Sequence, residues 1–190
     1  MAARSPEPTV NTNVQSDRSL HERRALDDLF SAAYEELRRL AAAVRRDDPG
    51  ATISPTALVN EAWLKLSDSP AVADTSPLHF KRIAARAMRQ VLVEAARRRN
   101  AGKRGGGAAV VTFDDALSNI ATADDVLGLD AALEALALIE PRQALMVESR
   151  FFGGLDVAET AALLEVSEAT VLRDWRAAKA WLARELRRQP

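Results

Sequence analysis

Where this chain is apolar, the apolar residues recur at intervals of three and four, and no extended run alternates apolar with polar. Between Asp17 and Arg46 the pattern is Leu26, Leu29, Phe30, Ala33, Leu37, Leu40 and Val44. A period near 3.6 gathers such positions into one stripe, so the segment reads as one amphipathic helix or two. Asp47, Asp48, Pro49 and Gly50 end it. Strands would need the other period, and an all-α protein is expected.

Two further helix starts are marked the same way. Ser54-Pro55 and Ser76-Pro77 each offer a capping hydroxyl followed by a proline, which loses no hydrogen bond at the first helical position. The first opens a helix to about Leu66. The second opens a helix to about Asn100, with Phe80, Ile83, Ala84, Ala87, Met88, Val91, Leu92 and Ala95 on its inner face. Gly102 to Gly107 breaks the pattern, and helical spacing returns at Asp124 with breaks near Glu140-Pro141, Gly153-Gly154 and Glu165. The expected organisation is a disordered tail over 1–16, a helical module over 17–100, a flexible linker over 101–123 and a second helical module over 124–188. A linker of that length extends to roughly 70 Å but coils to roughly 25 Å between its ends.

Composition narrows the function. With 47% hydrophobic residues among 190, the chain can bury packed cores. It has no cysteine and two histidines, so disulfides and thiolate chemistry are excluded, and His21 and His79 are too isolated for a metal site. No apolar signal core and no run of eighteen apolar residues is found, which points to a cytoplasmic protein. No cofactor is implied, and neither a catalytic nucleophile nor a phosphate-binding glycine loop is evident. The net charge is −1, yet the charge is unevenly placed. Lys81, Arg82, Arg86, Arg89, Arg97, Arg98, Arg99, Lys103 and Arg104 are opposed by Glu94 alone. Near the C-terminus, Arg173, Arg176, Lys179, Arg184, Arg187 and Arg188 face only Asp174 and Glu185. Two basic zones in a neutral chain suit two contacts on a polyanion.

The segment Asp156 to Trp181 is a helix-turn-helix pattern. Asp156 and Glu159 have capping-box spacing, Ala161 and Leu164 face inward, Val166 lies in the turn, and Ser167 caps a longer helix containing Val171 and Trp175. The second helix presents Ser167, Glu168, Thr170, Arg173, Arg176 and Lys179 toward DNA bases and phosphates. Glu165 stands where such turns often place glycine. An ordinary helical hairpin with a solvated face is the plainer reading. Trp63 and Trp175 fit apolar helix faces and are expected to pack.

In order and kind, these segments resemble the extracytoplasmic-function sigma factors of bacterial RNA polymerase. Residues 56–66, Thr-Ala-Leu-Val-Asn-Glu-Ala-Trp-Leu-Lys-Leu, resemble the polymerase-binding helix of that family. The resemblance implies clamp contacts through Leu58, Val59, Asn60, Glu61 and Trp63. His79-Phe80 through Arg99 is similar to the region that melts and reads the minus-ten element, which implies DNA contacts by Arg82, Arg86, Arg89, Arg97 and Arg98; for Arg97, Arg98 and Arg99 a solvated helix end favoured by the helix dipole is the alternative. Phe151 through Leu182 resembles the minus-thirty-five reader. The implied partners are core RNA polymerase, at clamp and flap, and promoter DNA. The two promoter contacts lie on the order of 50 Å apart, so the linker must be held extended.

One family feature is missing. Many members begin the polymerase-binding helix with Asp-Ala-Glu-Asp-Leu, and here Ser54, Pro55, Thr56, Ala57 and Leu58 align with it. Loss of three carboxylates weakens complementarity to a basic partner. Phosphate on Thr52, Thr56 or Ser54, in that order of expectation, can restore the charge at a helix N-terminus, which makes a Ser/Thr kinase a further expected partner. The plain alternative is that these residues only cap and turn. Two other readings compete with the whole: a free-standing helix-turn-helix regulator, and a helical adaptor without DNA, which leaves both basic zones unexplained.

Overall fold

The structure, a computed structural model, describes residues 12–44, 53–67, 72, 75–101 and 123–188. Among them are seven α-helices and no strand: α1 (Thr12–Val44), α2 (Pro55–Ser67), α3 (Pro77–Ala101), α4 (Ala123–Ile139), α5 (Pro141–Phe151), α6 (Val157–Leu164) and α7 (Glu168–Leu186). The all-α expectation holds. Helix α1 is one continuous element and begins at Thr12, so residues 12–16, read as tail, are helical. The expected linker lies outside the described residues apart from Ala101 and Ala123, at the ends of α3 and α4.

Local chemistry sets the helix starts. Ser54 Oγ accepts from the Ala57 amide at 3.1 Å, and Ser76 Oγ accepts from the His79 amide at 3.3 Å. Each serine satisfies an amide that the first helical turn leaves without a backbone partner. Leu26, Ala33, Leu37 and Ala41 of α1 meet Leu58, Val59, Ala62 and Leu66 of α2 and Phe80, Ala84 and Met88 of α3 in one buried cluster. Trp63 stacks on Phe30 with ring centroids 4.2 Å apart, and Tyr34 meets Phe30 edge-on at 5.5 Å. The packing expected of Trp63 is therefore realised.

Helices α4 to α7 form the second module, with α5 and α7 both packed on α4. The two modules also pack on each other. Helix α3 lies against α4, α5 and α6, and the buried cluster runs through both modules. This is possible because α3 carries a second small-residue surface. Ala85, Val93 and Ala96 are buried in addition to the inner face read from the sequence. Gly153 lets the chains come close there: a Cβ on it would stand 3.1 Å from Ala85 Cβ and 2.5 Å from the Ser149 carbonyl oxygen.

Candidate nucleic-acid interface

The helix-turn-helix forms as its local signals require. Asp156 Oδ1 accepts from the Glu159 amide at 2.7 Å, and Glu159 Oε2 accepts from the Asp156 amide at 3.0 Å, a reciprocal capping box that starts α6. Glu165 ends α6 in the left-handed conformation at φ 54°, ψ 43°. The Val166 amide donates to the Ala161 carbonyl at 3.0 Å and the Glu165 amide to the Ala162 carbonyl at 3.4 Å, so the last carbonyls are satisfied without glycine. Ser167 then caps α7, accepting from the Thr170 amide at 3.2 Å.

Burial divides α7 into two faces. Val171, Asp174, Ala178 and Leu182 point inward, while Glu168, Leu172, Arg173 and Arg176 are exposed and Thr170 and Lys179 are half-buried. Of the residues expected to meet DNA, Ser167, Glu168, Arg173 and Arg176 are exposed, while Thr170 and Lys179 are half-buried. Asp174 is a charge on the inward stripe, and Arg142 of α5 holds it by donating from Nε and Nη2 to Oδ2 at 3.1 and 2.7 Å. Arg150 lies over the Trp175 ring at 4.3 Å, and burial lowers its pKa from the ordinary arginine value. These contacts fix the angle at which α7 is presented.

The basic face of α3 is placed differently from the sequence expectation. Arg86, Arg97 and Arg98 are exposed and Arg82 is half-buried. Arg89 is turned into the second module: its Nε donates to Asp130 Oδ1 at 2.8 Å, its Nη1 to Glu148 Oε2 at 2.7 Å and its Nη2 to the Asp130 carbonyl at 3.0 Å. The three side chains are only 16%, 12% and 11% exposed. Arg97 Nη2 reaches Asp130 Oδ2 at 3.6 Å. Nearby, Lys81 Nζ bridges Glu36 of α1 and Glu159 of α6 at 2.9 and 3.0 Å. Burial opposes the charged ammonium, but hydrogen bonds and attraction from the two carboxylates outweigh it and raise its pKa. Glu159 thus serves the cap with one oxygen and the first module with the other.

On α2, Leu58 and Val59 were expected at a polymerase surface, and both are buried in the core at 0% and 1% exposure. Their place on the inward stripe decides this. Asn60 and Glu61 are exposed, as is Leu64, at 60% the most exposed large apolar side chain of that helix. The first turn of α2 has no acidic residue; Thr56 and Ser54 are exposed, and Thr52 lies outside the described residues.

Sequence reasoning missed Lys81, Asp130, Arg142, Glu148 and Glu159 as tertiary contacts. A signal was present for two of them. Asp130 follows Leu129 and precedes Leu133 on one stripe, and Glu148 shares a stripe with Ala144 and Phe151, so each charge falls where an apolar residue belongs and requires a partner. Among the described residues no group of three or more His, Cys, Asp or Glu is placed to hold a metal ion, and no helix is long and apolar enough to cross a membrane.

A capped helix-turn-helix with an outward basic face, joined to a second basic helical module, defines a DNA-binding transcription factor. The family model described as ECF sigma factor matches residues 17–188, and the chain belongs to that family. It is an alternative sigma factor for transcription initiation, a class that binds core RNA polymerase and promoter DNA. No curated protein and no solved structure matches it significantly.

Proposed function

We propose that this sigma factor divides promoter recognition between its modules, 17–100 and 124–188. Helix α7 enters the minus-thirty-five major groove with Ser167, Glu168 and Thr170 at its N-terminal end and Arg173, Arg176 and Lys179 along the backbone. Arg82, Arg86, Arg89, Arg97 and Arg98 of α3 serve the minus-ten element, and Asn60, Glu61 and Leu64 face the polymerase clamp. The observation that carries this reading is the burial split of α7, which leaves Glu168, Arg173 and Arg176 outward above a packed stripe. In vitro transcription with purified core polymerase and a genomic promoter library tests it. Discrete start sites that vanish in the Arg173→Ala, Arg176→Ala double variant are expected; unchanged starts overturn the assignment. A free-standing regulator would shift promoter duplex in a gel without core enzyme, whereas this factor does so only as holoenzyme.

Phosphate at the start of α2 is the second part of the proposal. Support comes from the exposure of Thr56 in a first turn without a carboxylate. A phosphate there adds about two negative charges at a helix N-terminus, in place of the family's acidic cluster. Thr52, which follows Pro49-Gly50 in the sequence, ranks first, and Ser54 is the least available because its Oγ already accepts from the Ala57 amide. Core-polymerase affinity is the measurement: the kinase-treated protein should bind more tightly than the untreated one. Equal affinities remove the switch.

A further inference from the structure

We propose, on the reading that α7 enters the minus-thirty-five major groove, that Leu172 is a specificity-determining residue and recognises the C5-methyl group of a thymine there. Leu172 is 42% exposed, and among the described residues no other large apolar side chain of α7 is exposed. A single exposed leucine is ordinary on a protein surface, so its place in the helix decides what it does. Glu168, Ala169, Leu172, Arg173 and Arg176 are all exposed and recur at helical spacing, which gathers them into one stripe. Leu172 lies within that stripe, one turn after Glu168 and one turn before Arg176. Ala177 and Ala180 continue the exposed face with small side chains, so the helix backbone can come close to what it meets.

The rotation of α7 is fixed around this leucine. Val171 before it is buried at 1% exposure, Asp174 after it is held by Arg142 at 2.7 Å, and Trp175 lies under Arg150 at 4.3 Å. With Val171 and Ala178 filling the inward stripe, Leu172 has no route into the core. What covers it follows from its neighbours. Arg173 and Arg176 draw the same face onto a polyanion. Of the base-edge groups in a major groove, the thymine methyl is apolar and the others are hydrogen-bond donors or acceptors. A leucine side chain neither donates nor accepts, so the methyl is the group it can select. Thr170 also carries a methyl, but it is half-buried and its Oγ1 lies 2.9 Å from Ser167 Oγ at the start of the helix.

Deoxyuridine differs from thymidine by that methyl alone, which makes the test chemical. In a promoter that the wild-type holoenzyme transcribes, each thymine of the minus-thirty-five element, on either strand, is replaced singly by deoxyuridine and holoenzyme affinity is measured. Replacement at one position should weaken binding about fourfold, the worth of one buried methyl-sized group. Leu172→Ala should bind the unmodified promoter more weakly and no longer distinguish the two bases at that position, whereas Leu172→Met should still distinguish them. Because the position is exposed, both variants should keep the helical circular dichroism and thermal midpoint of the wild type. Indifference of the wild type to deoxyuridine at every position overturns the inference, and so does a sensitivity that persists in Leu172→Ala, since it then belongs to Ala169 or Thr170. Loss of core-polymerase affinity by Leu172→Ala in the absence of DNA also overturns it, by assigning the leucine to a protein surface. Failure of the minus-thirty-five reading itself shows separately, as transcription starts unchanged in the Arg173→Ala, Arg176→Ala variant.

Discussion

Glu165 occupies a backbone conformation that glycine adopts without steric penalty. The left-handed region costs a residue with a Cβ roughly 1–2 kcal/mol, and the two amide bonds that close the end of α6 offset this. Glu165→Gly should therefore raise stability by about 1 kcal/mol, seen as a rise of about 2–4 °C in the thermal midpoint. Asp174 poses the reverse case, a buried carboxylate held by Arg142 at Oδ2, with the exposed Arg173 3.5 Å from Oδ1. Arg142→Ala removes both hydrogen bonds to Oδ2 and should lower stability by about 1–3 kcal/mol in denaturant unfolding, with promoter affinity falling as α7 loses its anchor.

At the scale of the element, α7 combines a packed stripe with an exposed basic face, so changes to the two faces should separate. Arg173→Ala with Arg176→Ala should leave the thermal midpoint within about 1 °C of wild type, since both side chains are exposed and Asp174, 3.5 Å from Arg173, keeps its shorter bonds to Arg142. The same pair should weaken holoenzyme binding to promoter and flatten its dependence on salt, because fewer counterions are released. Titration of affinity between low and high salt checks this. The helix starts were legible before the structure because capping is local: Ser54, Ser76, Asp156 and Ser167 each act on an amide three residues ahead. The early beginning of α1 was not legible, since residues 12–16 lack the apolar period on which the reading relied.

Across the whole molecule, one buried cluster joins modules that the charge distribution presents as two separate DNA contacts. Heating should then unfold both together. In a variant retaining Trp63 as its only tryptophan, the fluorescence midpoint should coincide with that of helical circular dichroism. Ala85→Leu overfills the contact with Gly153 and should lower stability by about 1–3 kcal/mol, splitting the two midpoints.

The sequence by itself determined the all-α class, the positions of the helix-turn-helix and its caps, and the exposure of Glu168, Arg173 and Arg176 on α7, because each depends on residues within a turn or two of one another. Only the tertiary structure decided where Leu58, Val59 and Arg89 go. For the first two, the stripe that α2 turns toward α1 and α3 includes positions that a motif alone would assign to a partner. For Arg89, basic spacing along α3 defines a face but not what covers it. Asp130 and Glu148 lie 41 and 59 residues away along the chain, and no local period connects them to that face. Their charge on an apolar stripe shows that each needs a partner, and the packing of α3 on α4 and α5 determines that Arg89 is that partner.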